Sequence, residues 1–165
     1  MEYSETWWKR EASNGRCSTL SRYDKYDPYD GGFRAPLAAT FGYTAGNPDK
    51  THVDLGKLFA AGVNASGQVT KFTSAAATAF IGVFIIDEPK AAGDMIDVMT
   101  DGDIVDLLDA EILAADTLAA ANRLYADCSV TTGQLTNTKA TGDFYVGRMM
   151  SVSRLVVRCN FTGEA

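Results

Sequence analysis

The side chains of this sequence that could do chemistry are few, and most are carboxylates. In "DVMTDGDIVDLLDAE", Asp97, Asp101, Asp103, Asp106, Asp109 and Glu111 crowd into 15 residues. Calcium takes several oxygen ligands, and the loop that supplies them reads Asp-x-Asp-x-Asp-Gly. Here the order is Asp-Gly-Asp followed by apolar Ile104 and Val105, so that register is missing. The stretch reads instead as a solvated acidic strand face. A second set, Asp24, Asp27 and Asp30 in "DKYDPYDGG", repeats every three residues and reads as a turn-rich loop. Paired carboxylates also serve glycoside hydrolysis, but spacing along the chain does not fix the separation that mechanism needs.

Other chemistry is thinner still. His52, in "DKTHVDLG", is the only histidine, so neither a histidine-rich zinc site nor a two-histidine metalloprotease motif is available. No Gly-x-Ser-x-Gly elbow and no Gly-x-Gly-x-x-Gly phosphate loop occurs. Cys17, Cys128 and Cys159 are odd in number, far apart and without a Cys-x-x-Cys pair, which suits reduced thiols. The expectation is a protein that is not an enzyme, with no metal and no cofactor.

Composition narrows the partners. The chain has 165 residues, 46% hydrophobic and 22% charged, and a net charge of −6, which suits one globular domain with an appendage. Residues 1–34 balance six acids with six bases, whereas 87–116 hold ten acids against Lys90 alone. A nucleic-acid binder shows a basic footprint, and this chain shows the reverse. The start "MEYSETWWKREASNG" has no apolar signal-type core, so export by that route is not expected. The longest apolar run, Ala75 to Ile86, is 12 residues, and a membrane-spanning helix needs about 20. No membrane partner is expected.

The elements follow from the punctuation. Residues 1–50 are aromatic and turn-rich without helical or strand period, and read as an extended N-terminal arm. Two placements suit it: back on its own domain, or on a neighbouring subunit with aromatic rings as anchors. The absence of a core of its own favours the second. Trp7, Trp8, Tyr23, Tyr26, Tyr29 and Phe33 are then the candidate contact residues.

Residues 51–165 form the β-rich domain, an all-β barrel or sandwich. Short apolar runs at 68–73, 79–86, 95–99, 123–127, 144–150 and 154–159 predict strands, and Asp101-Gly102 predicts a hairpin between 95–99 and 104–107. The alanine-rich "ADTLAAANRL" predicts a short helix at 116–121. "TAFIGVFII" and "DFYVGRMMS" place Gly82 and Gly147 alike, which suggests a duplicated unit: 68–73, 79–86, 95–99 against 123–127, 144–150, 154–159. The two glycines would mark bulges at a corner of the sheet.

"ADTLAAANRLYADCSVTTGQLTNTKATGDFYVGRMM…SRLVVRCNF" resembles the C-terminal half of tailed-phage capsid decoration, or cement, proteins. The pieces that carry the likeness are Asn122–Asp127, Thr131–Thr141, Gly142–Gly147 and Leu155–Phe161, with "GQVTKFTSAAATAFIGVFII" similar to the family's early strands. The resemblance implies a virion protein made in the bacterial cytoplasm and bound to the capsid exterior. Its implied partner is the major capsid protein, whose neighbouring subunits it bridges as a homo-oligomer, a trimer before a dimer. Two alternatives stay open: another virion component, such as a neck, tail or head fibre, or a small β-barrel ligand-binding module using the acidic stretch.

Overall fold

Apolar residues run almost unbroken through "LFAAGV" and "AFIGVFI", whereas in "RLVVR" burial alternates, with Leu155 and Val157 inside and Arg154 and Arg158 exposed. The first pattern belongs to strands covered on both faces, the second to a strand with one face in water. The computed structural model, which describes residues 32–73, 79–107, 112, 116–128 and 132–160, has both kinds.

Twelve strands occur among the described residues, and no helix. They are β1 (Gly32–Pro36), β2 (Tyr43–Thr44), β3 (Asn47–Pro48), β4 (Leu58–Val63), β5 (Val69–Lys71) and β6 (Ala79–Ile85), then β7 (Met95–Met99), β8 (Asp101–Asp106), β9 (Arg123–Ala126), β10 (Leu135–Thr136), β11 (Phe144–Met149) and β12 (Arg154–Arg158). A first five-stranded sheet has the order β1-β7-β6-β4-β5, and a second the order β8-β12-β11-β9-β10. β2 and β3 make a separate small hairpin.

Number the strands of each sheet along the chain, and both sheets run first, fifth, fourth, second, third. The agreement extends to single bridges. Leu37, just after the first strand of sheet one, pairs in parallel with Val69 of the third; Ile112 and Leu135 repeat this in sheet two. The duplication is therefore real at the level of topology. Its alignment differs from the sequence expectation by one strand: 123–126 corresponds to Leu58–Val63, and 69–71 corresponds to Leu135–Thr136.

Both expected bulges are present. Ala61 pairs with Gly82 and Gly62 with Phe80, leaving Ile81 extra; Leu124 pairs with Gly147 and Tyr125 with Tyr145, leaving Val146 extra. Each glycine thus stands beside the bulge in the fourth strand of its sheet. The expected hairpin at Asp101-Gly102 does not form. β7 pairs within the first sheet and β8 pairs with β12 in the second, so the chain changes sheet at Thr100. Gly102, at φ 88, and Asp103 together face one residue of β12, the arrangement of a glycine bulge. A left-handed glycine serves a bulge as well as a hairpin turn, and sequence alone does not separate them.

The expected helix at 116–121 is also absent. Residues 116–119 are irregular, followed by a turn at 120–121 in which Ala121 has φ 71. Asp116 accepts hydrogen bonds from Asn137 N at 2.9 Å and Thr138 Oγ1 at 3.3 Å, while Asn137 Nδ2 donates to Thr117 O at 2.8 Å. These bonds fasten the segment to the β10–β11 connection and outweigh alanine's weak helical preference.

Two apolar layers result. Phe59, Ala61, Phe84, Ile96 and Val98 on one face of sheet one are covered by Leu37, Phe41 and Leu55 of the connection to β4. Phe41, Phe59 and Phe84 hold ring centroids 5.7–6.4 Å apart. The opposite face, with Leu58, Ala60, Phe80, Val83 and Met99, packs on Leu124, Val146, Met149, Leu155 and Val157 of sheet two. Phe144 bridges the sheets, 5.7 Å from Phe72 and 5.2 Å from Phe80 between centroids. Residues 32–50, expected in the arm, belong to this body: β1 pairs along the whole of β7, and Leu37 and Phe41 are buried.

Candidate interaction surface

Among the described residues, the acidic stretch does not gather into a site. Arg34 Nε donates to Asp97 Oδ1 at 2.6 Å, Arg154 Nε to Asp106 Oδ1 at 3.2 Å, and Arg158 Nε lies 3.5 Å from Asp101 Oδ1. Each pair is in register between the first and fifth strands of a sheet. Exposed pairs of this kind contribute about 1 kcal/mol or less. Asp103, in the bulge, is buried, and burial followed by the charge of Asp101 pushes its carboxyl up to about 6. Among the described residues no three His, Cys, Asp or Glu side chains converge as metal ligands. Asp109, Glu111, Asp24, Asp27 and Asp30 lie outside the described residues.

The remaining reactive types serve loops and packing. His52 Nδ1 accepts a hydrogen bond from Asp54 N at 3.2 Å. Burial pushes the Cys159 thiol up to about 12, and its Sγ donates to Val146 O at 3.8 Å. Burial, then a hydrogen bond with Asp143, raises Cys128 as well. A raised thiol is a poor nucleophile near neutral pH. Cys17 lies outside the described residues, as do Trp7, Trp8, Tyr23, Tyr26 and Tyr29. Phe33 stands on β1 opposite Val98 and is exposed.

The most distinctive surface is the outer face of the second sheet. Residues directly opposite across a ladder share a face, so the register defines its rows. Arg123 faces Arg148, Arg148 faces Val156, and Val156 faces Ile104, one row across four strands. Beside it Tyr125 faces Tyr145, with rings 5.9 Å apart and edge to face. Arg154 and Arg158 flank Val156 on β12, each opposite its aspartate. A groove of roughly 590 Å³ runs over this face, lined by Gly102, Tyr145, Arg148, Met150, Val156 and Arg158 among others.

The duplication shows what is unusual here. The row equivalent to Arg123–Arg148–Val156 in sheet one is Ala60–Val83–Met99, at most 3% exposed and buried between the sheets. The same topological face is core in one sheet and arginine-bearing surface in the other. Sequence reading missed it because Arg123, Arg148, Arg154 and Arg158 are spread over 36 positions and meet only through register. Arg154 and Arg158, four residues apart and so on one face of a strand, were the available signal.

The chain matches no protein-family model and no curated protein. It is similar in fold to a solved chain from Mycobacterium phage Patience, with a TM-score of 0.59 and 16% identity, covering 87% of this chain and 97% of that one. At that identity the likeness is one of fold: the same all-β architecture extends over nearly the whole of both chains.

Proposed function

We propose that this chain is a phage virion structural protein that binds the outside of a capsid and stabilises the shell by bridging neighbouring major capsid subunits. The observation that carries the reading is the near full-length likeness of fold to a phage chain. The resemblance of Asn122–Asp127 and Gly142–Gly147 to decoration proteins points the same way. Its role is structural rather than catalytic, consistent with acids held in cross-strand ion pairs and thiols held protonated.

The physics asked of such a protein is modest. A molecule that binds the assembled shell and not its separated subunits shifts the equilibrium toward the shell by mass action. Many weak contacts repeated over a lattice add through avidity. Two sheets sharing one core supply a stiff body, and oligomerisation on the shell, as a trimer, multiplies the contacts. The test is to heat phage heads stripped of the chain, with and without the purified protein. Added protein is expected to raise the temperature of head disruption; no change over a saturating range would contradict the role.

A further inference from the structure

We infer that the outer face of the second sheet, built on the Arg123–Arg148–Val156–Ile104 row, docks an acidic segment of a partner protein. The identity of that partner as a capsid shell rests on the function proposed above; the docking chemistry does not.

Three observations carry it. First, Arg123 and Arg148 stand directly opposite one another across the β9–β11 ladder, and like charges so placed destabilise a sheet. Arg148 Nε donates to Ala121 O at 3.2 Å, and among the described residues no carboxylate pairs with either arginine. Two arginines in register, neither paired with a carboxylate among the described residues, leave charge on this face for an acidic partner to neutralise.

Second, the charge is concentrated and of one type. Four of the five described arginines lie on this face and none of the lysines in its rows. Against Asp101 and Asp106 they leave a local charge of +2 on a chain of −6. Arginine, tyrosine and methionine are the residues enriched in protein interfaces, and lysine is depleted. Guanidinium forks bind carboxylates in two-pronged geometry, which an ammonium does not.

Third, the surface has somewhere to seat a ligand. Val156, Tyr145 and the 60% exposed Met150 give the groove an apolar floor, and Arg148 and Arg158 line it with charge. An extended acidic segment would turn the carboxylates of one of its faces, every second residue, toward the arginines, with its backbone over that floor. Nucleic acid is the less fitting occupant, because the rest of the chain would repel it.

The test uses the full chain, isotope-labelled, titrated with a ten-residue glutamate peptide at low salt, with a ten-nucleotide thymidine strand as comparison. Amide shifts confined to β9, β11, β12 and the turn after β11, with tighter binding of the peptide, are expected. Arg148→Glu and Arg123→Glu should each weaken peptide binding about tenfold. Arg123→Glu should also raise the melting temperature, since it turns a like-charge pair into an ion pair. Shifts elsewhere, unchanged affinity in both variants, or tighter binding of the nucleotide would overturn the inference. So would self-association of the wild type that Arg148→Glu abolishes, which would give the face to a second copy. Binding of the wild type and Arg148→Glu to heads with equal affinity would overturn the shell as the partner of this face and spare the proposed function. Peptide binding without head binding would spare the docking chemistry and overturn the proposed function.

Discussion

The carbonyl oxygen of Val156 lies against Gly147 so closely that a Cβ there would overlap it, and the Met99 carbonyl stands in the same relation to Gly82, 2.5 Å from where a Cβ would be. Val156 and Met99 are equivalent residues of the fifth strand, each paired with the residue just after its glycine. The two sheets therefore share a backbone device as well as a strand order. Beside each bulge the fourth strand lies too close to a carbonyl of the fifth for any Cβ, and only glycine leaves room.

Replacing either glycine tests that device. Gly147→Ala should cost about 2–3 kcal/mol by overpacking against backbone that cannot rotate away. Gly82→Ala should cost at least as much, because its φ of 142 adds strain for any side chain. Denaturant unfolding reads both. A variant as stable as wild type would show that the close approach is incidental.

Asp143 is fully buried and clasps two loops at once: Oδ1 accepts from Cys128 N at 3.0 Å and Oδ2 from Ala140 N at 2.8 Å. Asp143→Ala leaves two amide hydrogens without acceptors and should cost about 2–4 kcal/mol. Asp143→Asn keeps one acceptor and should recover roughly half of the loss. Equal unfolding midpoints for the two variants would remove the clasp as a cause.

Asp103 gives a pH dependence of definite sign. Its folded pKa, about 6, lies above the ordinary carboxyl value of 3.8 because burial disfavours the charge. The folded state then holds the proton more tightly than the unfolded one, and stability falls as pH rises from about 4 to about 6. Asp103→Asn should flatten that slope and raise stability at pH 7.5 by about 1 kcal/mol, allowing for solvent screening. Melting curves at pH 5 and 7.5 decide it; a less stable variant at pH 7.5 would contradict the assignment.

The arm is tested by where it is cut. Removing residues 1–31 leaves β1 whole, and removing 1–36 strips β1 from its ladder with β7 and breaks the Arg34–Asp97 pair. The first truncation is expected to keep the melting temperature and weaken binding to heads; the second is expected to lower the melting temperature. Undiminished binding after the first would free Trp7, Trp8, Tyr23, Tyr26 and Tyr29 from any contact role.

The all-β class was legible because strand signals are local: "GQVTKF", "AFIGVFI" and "RLVVR" each mark their own backbone, and two glycines marked two bulges. Pairing was not legible to the same degree. Asp101-Gly102 specifies a left-handed glycine equally well for a hairpin and for a bulge between sheets. Asp116 and Thr117 have partners 20 or more positions away, so alanine's preference for helix was the wrong guide. The candidate surface was least legible of all. Arg123 meets Arg148 only because a bulge at Val146 sets the register, and no local pattern announces it.

The most direct test of the central claim is a count. Quantitative mass spectrometry on density-purified particles should find this chain near one copy per shell subunit, or one trimer per local three-fold position. A count near a dozen copies, or none, would contradict a protein that holds the shell together.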